Sequence, residues 1–406
     1  MRIHPPERRL RVALFTDSFH ETNGVGTLCR EYAAYAATQH LPFLCVFGGP
    51  RTRSTSVGQA CQLELRRGPL AFAVDADVHC DPFLCRHLSL TLARLRKFRP
   101  DLVHITGPGD VSILGLWAAN LIGVPTIASW HTNLHEYSHR RIVAALPFLP
   151  PSVREFLGAS AREMSLCAVT NFYKVSHFLS APNKEMVDLL ARKTHRPTFL
   201  MAHGVNTEMF TPERRRRTDA LFNVGYVGRL TPEKNVRALV EMERRLLAAG
   251  ESGFRISVVG DGSERAWLGD HLRTAQFTGV LKGDALATAF ANMDAFVFPS
   301  LTDTFGLVIL EAMASGVPVI VNPETGLRAG VSDNNDGIHT HDFAAAVRRL
   351  IHCGETRSRM GKAGRSHACA RAWPSVFEDF HRIYHAGLRA EQTLRRMPTP
   401  KFAPPA

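Results

Sequence analysis

"FNVGYVGRLTPEKNVRALVEM", residues 222–242, sets an apolar run ahead of a glycine, a cationic turn and an amphipathic stretch. Phe222–Val227 is apolar nearly throughout, as in a strand buried on both faces, and from Val236 the apolar positions recur at helical spacing. The same alternation extends along the chain. Apolar β-type runs fall at 11–17, 43–48, 102–106, 125–130 and 178–182 in the first half. In the second half they fall at 222–228, 254–260, 295–299 and 317–321, again separated by helical stretches. Strands of this kind alternating with helices predict an α/β fold with parallel sheets covered on both faces. In such sheets ligands bind beyond the carboxyl ends of the strands.

A chain of 406 residues has room for two such domains. The composition changes at 196–219, "RPTFLMAHGVNTEMFTPERRRRTD", which places the hinge near His203-Gly204. Residues 373–388 read as a helix with an aromatic face, and the Pro-rich end after it as frayed. The expected domains are 1–202 plus 373–406, and 203–372. Residues 140–165 are apolar but interrupted by Pro-Pro, and read as a helical excursion. Hydrophobic residues make up 45% and charged residues 21%, which suits a globular protein and excludes a disordered one. No run approaches the roughly 18 apolar residues needed to span a bilayer, and VALF near the start is too short for a signal sequence. A cytoplasmic location is expected. Eight scattered cysteines without a CxxC read as reduced thiols. The net charge of +12 favours anionic partners without choosing among nucleotides, acidic lipid and nucleic acid. No nucleic-acid-binding signature is present.

Several segments carry polar chemistry at the expected strand ends. Gly24-x-Gly26 opens a helix after the first strand, where backbone can approach an anion closely. Cys29 in place of a third glycine argues against a dinucleotide site, and a plain glycine turn fits equally well. Arg229 and Lys234 flank the turn after Gly228 and can neutralise a diphosphate, or can be ordinary solvated cations. Gly260 and Gly262 repeat the pattern after the next strand. His131 ends a strand, where it can donate hydrogen bonds or carry a proton near neutral pH. The basic residues behind it (His135, His139, Arg140, Arg141) suggest an anion-facing patch. In "TDTFGLVILEAMASG" (302–316), Asp303 precedes Phe305-Gly306-Leu307, and Glu311 lies inside an apolar helix. A glutamate there is costly unless it serves a ligand. Asp75-x-Asp77 is a weak metal motif, residues 333–337 read as a turn rather than a calcium loop, and Arg214–Arg217 read as a solvated linker.

The stretches "TDSFHETNGVGTL", "SWHTNLHEYS", "HGVNTEMF", "VGYVGRLTPEKN", "VVGDGSE", "FTGVL" and "DTFGLVILEAMASGVPVIV" occur in the order found in the retaining glycosyltransferases of family GT4, which the chain resembles over roughly residues 11–322. The resemblance implies the GT-B fold: two Rossmann-like parallel-sheet domains facing a cleft, with a C-terminal helix crossing back to the first. It implies a UDP- or GDP-hexose donor and no metal cofactor. Arg229 and Lys234 match the family's diphosphate-binding cations, and Gly24 and Gly26 its donor-side glycine loop. His131 matches the histidine near the transferred sugar. Asp303 and Glu311 match the paired acids that serve the sugar and the ribose. Phe305, Gly306 and Leu307 match the backbone positions that meet phosphate, with Gly228 and Gly260 in the loops beside them. Asp303 is one methylene shorter than the commoner glutamate, and "NPETGLRAGVSDNNDG" lacks the usual Gly-Gly-Pro turn. The "HTNLHEYS" and "TDTFG" variants are similar to lipid-directed members, which implies a lipid or glycolipid acceptor and peripheral contact with an anionic membrane. Rival expectations are a nucleotide-sugar epimerase or hydrolase on the same fold, and a degenerate binder without activity.

Overall fold

The computed structural model describes residues 8–21, 23–73, 79–131, 133–301, 303 and 305–396. The chain forms two compact units, one of residues up to Ala202 together with those from Phe377, the other His203–Val376.

In the first unit the strands are β1 (Val12–Thr16), β2 (Phe43–Gly49), β3 (Arg53–Val57), β4 (Ala60–Arg66), the short pair β5 (Phe72–Ala73) and β6 (His79–Cys80), β7 (Leu102–Ile105), β8 (Thr126–Ser129), β9 (Phe178–Ala181) and β10 (Thr198–Leu200). Eight of them make one sheet in the order β10-β9-β8-β7-β1-β2-β4-β3. Every pairing in it is parallel except β3 with β4. The strands β1 and β7 to β9 are buried along their whole length, as their largely apolar runs predict. The expected excursion at 140–165 is two helices, Leu134–Ala145 and Pro151–Tyr173. Pro151 takes the first turn of the second helix, where a missing N–H costs nothing.

The second unit holds β11 (Phe222–Val227), β12 (Phe254–Val259), β13 (Ala275–Gly279), β14 (Ala295–Phe298), β15 (Val319–Val321) and β16 (Gly337–His339). They form an all-parallel sheet in the order β13-β12-β11-β14-β15-β16. The chain runs outward from β11 to β13, then returns to the other side of β11 as β14. In the first unit it likewise runs outward from β1 and returns beside it as β7. Each sheet therefore has one topological switch point, between β11 and β14 and between β1 and β7.

The C-terminal helix runs Trp373–Arg396. Its first turn belongs to the second unit: Trp373 N donates to Val205 O, and the indole fills the space a side chain at position 204 would need. From Phe377 it packs in the first unit, where Phe377 stacks on Tyr32 at 4.7 Å between ring centres.

The linker reading of Arg214–Arg217 is overturned. Arg215 and Arg217 both pair with Asp294, and the Arg217 side chain is only 7% exposed. Two guanidiniums on one carboxylate pin the segment before β11 to the segment before β14. The stretch 333–337 is a turn whose acids are used internally: Asp333 accepts from His339 N at 2.8 Å and Asp336 meets His367 Nδ1 at 2.8 Å. Asp75-x-Asp77 lies outside the described residues.

Candidate active site

In the second unit the loops at the switch point carry most of the expected site. After β11 the chain passes through Gly228 and Arg229 into a short turn, Pro232–Lys234, that ends at Asn235 in the left-handed region (φ 53°). Asn235 Nδ2 donates to Pro299 O at 3.3 Å, tying this turn to the end of β14. The tie places Lys234 Nζ 2.6 Å from Asp303 Oδ1, so one ion pair bridges the loops after β11 and β14. The pair is 12% and 18% exposed, and Lys234 also lies 5.9 Å above the Phe298 ring. Burial opposes ionisation of Asp303, but the Lys234 ammonium, with smaller help from the Ser300 hydroxyl and Arg229, outweighs it and holds the carboxyl below its usual range. Asp303 Oδ2 is buried without a hydrogen bond among the described residues. Arg229 is half exposed, with Nη2 3.8 Å from Glu233 Oε1.

Gly260 begins the loop after β12, with φ of 135°. A Cβ there would stand 1.9 Å from Gly228 O, so the two loops touch backbone to backbone and only glycine fits.

The helix Leu307–Ala314 starts from Gly306 in the left-handed region (φ 73°), and no side chain among the described residues caps it. Its first N–H groups are thus available to an anion. Phe305 is buried 5.1 Å from the His203 ring and 5.8 Å from the Arg371 guanidinium carbon, which fixes the loop ahead of Gly306 and Leu307. Glu311 lies one turn inside the helix. Its carboxylate has no ion pair or hydrogen bond among the described residues, and burial pushes its pKa up to about 7.

In the first unit, Asn23 caps the helix Gly24–Thr38 by accepting from Gly26 N at 2.8 Å. Gly26 is glycine because of the chain itself: a Cβ would lie 2.4 Å from Ser18 O and 2.6 Å from Glu21 O. His131 follows β8 and is buried, with Nε2 2.7 Å from Ser129 Oγ. Burial lowers its pKa to about 4, so at neutral pH it is a hydrogen-bonding group and not a proton carrier. The histidines expected in a basic patch behind it have acidic neighbours: His139 meets Glu155 at 2.9 Å and His135 meets Glu136 at 3.6 Å.

At the first unit's switch point the structure shows a carboxylate pair that sequence reading missed. Asp17, just after β1, accepts from Val111 N at 2.7 Å and Ser112 Oγ at 2.8 Å, and so caps the helix Asp110–Ile122 from a distance. Burial, and then the neighbouring Asp110 carboxyl, push the pKa of Asp17 up to about 7. Asp110 in turn meets Arg67 at 3.1 Å. The signal for Asp17 was its place at a strand end, in "TDSF".

Two family descriptions match the chain: "Glycosyltransferase Family 4" over residues 22–208 and "Glycosyl transferases group 1" over 222–353. A GDP-mannose-dependent alpha-mannosyltransferase of Mycolicibacterium smegmatis is 35% identical over 311 residues, 72% of this chain and 76% of that protein. The chain belongs to glycosyltransferase family 4. A more distant family member, the alpha-monoglucosyldiacylglycerol synthase of Acholeplasma laidlawii, is 25% identical over 66% of this chain and 70% of its own. Among solved structures, the sucrose-phosphate synthase of Thermosynechococcus elongatus superposes with a TM-score of 0.70 at 18% identity, covering 94% of this chain and 100% of that one. That likeness shows the GT-B fold. The protein is thus a GT4 glycosyltransferase, a hexosyltransferase built on two parallel-sheet domains. Within this frame the structure gathers Gly228, Arg229, Lys234, Gly260, Asp303, Phe305, Gly306, Leu307 and Glu311 in the second unit, and Gly24, Gly26 and His131 in the first.

Proposed function

We propose that this glycosyltransferase takes mannose from GDP-mannose and places it, with retention of anomeric configuration, on a lipid or glycolipid. The observation that carries the chemistry is the buried Lys234–Asp303 pair at the switch point. When the glycosidic bond to the diphosphate breaks, negative charge gathers on the leaving phosphate and positive charge on the sugar ring. Lys234, Arg229 and the start of helix Leu307–Ala314 oppose the first charge. Asp303, held ionised, opposes the second. Glu311 receives the ribose hydroxyls, His131 a hydroxyl of the transferred sugar, and the Gly24–Gly26 turn the donor phosphates. The donor assignment draws on the activity of the M. smegmatis relative, and the acceptor class on the A. laidlawii synthase.

Contact with an anionic membrane is supported by the net charge of +12 and by one face of helix Asp110–Ile122. There Ile113, Trp117 and Leu121, four residues apart, are 38%, 53% and 61% exposed. None of the described helices is long and apolar enough to cross a membrane.

The test is a panel of nucleotide sugars read by thermal stabilisation, followed by transfer to lipid vesicles. GDP-mannose should raise the melting temperature most, and the product should carry the α-linkage of the donor. Free mannose released at the same rate with and without vesicles would identify a hydrolase instead. The two cations and the helix start supply the charge that a divalent metal provides elsewhere. We therefore expect EDTA to leave the rate unchanged, and a rate restored only by added Mg2+ or Mn2+ would overturn this part of the reading.

A further inference from the structure

Behind His131 lies a buried chain of polar groups that the reaction as described does not use. Ser129 Oγ is 2.7 Å from His131 Nε2 and 2.9 Å from His104 Nε2. His104 Nδ1 is 2.9 Å from the hydroxyl of Tyr384, which the C-terminal helix supplies. His104 and Tyr384 are fully buried and Ser129 nearly so. Burial holds the pKa of His104 near 3 and that of His131 near 4, so both rings are neutral at working pH. Each then has one nitrogen that donates and one that accepts, and the hydrogen bonds decide which.

We propose that Tyr384, acting through His104 and Ser129, fixes His131 in the tautomer with its proton on Nδ1, so that His131 serves the sugar as a hydrogen-bond donor. The polarity follows from the ends of the chain. The Tyr384 hydroxyl has two neighbours, the Tyr32 hydroxyl and His104 Nδ1. A phenol is far more acidic than a neutral imidazole N–H, and an imidazole nitrogen is a better acceptor than a phenol oxygen, so Tyr384 O–H donates to His104 Nδ1. His104 must then donate from Nε2 to Ser129 Oγ. Ser129 has one proton and two acceptors left, His131 Nε2 at 2.7 Å and Ile105 O at 3.3 Å. It goes to the nearer one. His131 Nε2 is therefore an acceptor, and the ring proton lies on Nδ1. Tyr384, His104 and Ser129 are positioning residues in this scheme. The residue furthest from the chemistry sets the direction of the whole chain.

The inference rests on the proposed role of His131, and the two can be tested apart. Side-chain 15N NMR of the full-length protein should show His131 Nε2 without a proton and Nδ1 with one. Tyr384→Phe keeps the ring and its packing, and should populate the opposite tautomer at His131. It should also lower kcat about two- to tenfold, with donor KM changed less. Ser129→Ala, which cuts the chain beside His131, should do the same without touching the C-terminal helix. A protonated Nε2 in the wild type would overturn the inference, as would unchanged His131 nitrogen signals in both variants. If His131→Ala transfers sugar at the wild-type rate, the role of His131 fails, while the NMR result still decides the relay.

Discussion

Replacing Lys234 with alanine is expected to lower donor turnover by about a hundredfold, the largest loss from any single cation. A charge-assisted hydrogen bond contributes roughly 1.5–3 kcal/mol, or about ten- to 150-fold in rate. Lys234 belongs at the upper end because its side chain is only 12% exposed, where screening by water is weak. Arg229 is half exposed, and Arg229→Ala should cost closer to tenfold. The Lys234 substitution also acts on Asp303. Without the ammonium, burial is opposed only weakly and the carboxyl pKa rises, so the carboxylate proposed to oppose the sugar's charge is lost together with the cation proposed to oppose that of phosphate. Asp303→Asn should therefore be nearly as slow, and the double variant hardly slower than Lys234→Ala alone. The pair also has a signature in stability. The folded pKa of Asp303 lies below the ordinary carboxylate value, so its contribution is present above that value and is lost as pH falls through the folded one. In Lys234→Ala this acid-side loss should shrink or reverse. Turnover in Lys234→Ala within threefold of wild type, at saturating donor, would remove Lys234 and Asp303 from the reaction.

The parts of this molecule that could be read from sequence are those in which a local pattern has a local cause. Strands β1, β7, β8, β11 and β14 are buried on both faces, so their apolar runs announce them. β3, with the sequence "RSTSV", was not readable: it is an exposed edge whose only apolar residue points to solvent. β10, β13 and β16 also lie at or near sheet edges and are short or half exposed, with too little buried surface to leave a pattern. Arg217 looked solvated because its partner, Asp294, lies 77 residues away in sequence. The same holds for His131. Its place at a strand end was legible, but its neutrality depends on burial, and the hydrogen-bonded chain behind it is built from positions 129, 104 and 384. The loops at the strand ends were legible as loops because glycines and charges there are constrained one by one. The groups that orient them are assembled by the fold.

Glu311 is expected to make donor binding weaker as pH falls, while the protein itself responds in the opposite sense. Burial raises the Glu311 carboxyl to about 7, against an ordinary value of 4.5. An acid whose folded pKa is raised adds stability below its unfolded pKa, and that stability is lost as pH rises through about 7. Ribose hydroxyls donate to a carboxylate, so the donor binds the ionised form and releases a proton wherever the group is still protonated. For one group with a pKa of about 7, donor affinity at pH 6 should be about tenfold weaker than at pH 8. The diphosphate of the donor stays ionised across this range and contributes no slope. Glu311→Gln should bind donor weakly and almost independently of pH, with a loss at pH 8 of about ten- to a hundredfold. The same variant should be more stable than wild type at pH 8, because it no longer carries a half-buried charge with no ion-pair partner among the described residues. Donor titrations and melting curves at pH 6 and 8 on both proteins test all of this. A purely structural glutamate would move binding and stability together. A ligand-facing one moves them apart, and a Glu311→Gln protein with wild-type donor affinity at pH 8 would show that the ribose is held elsewhere.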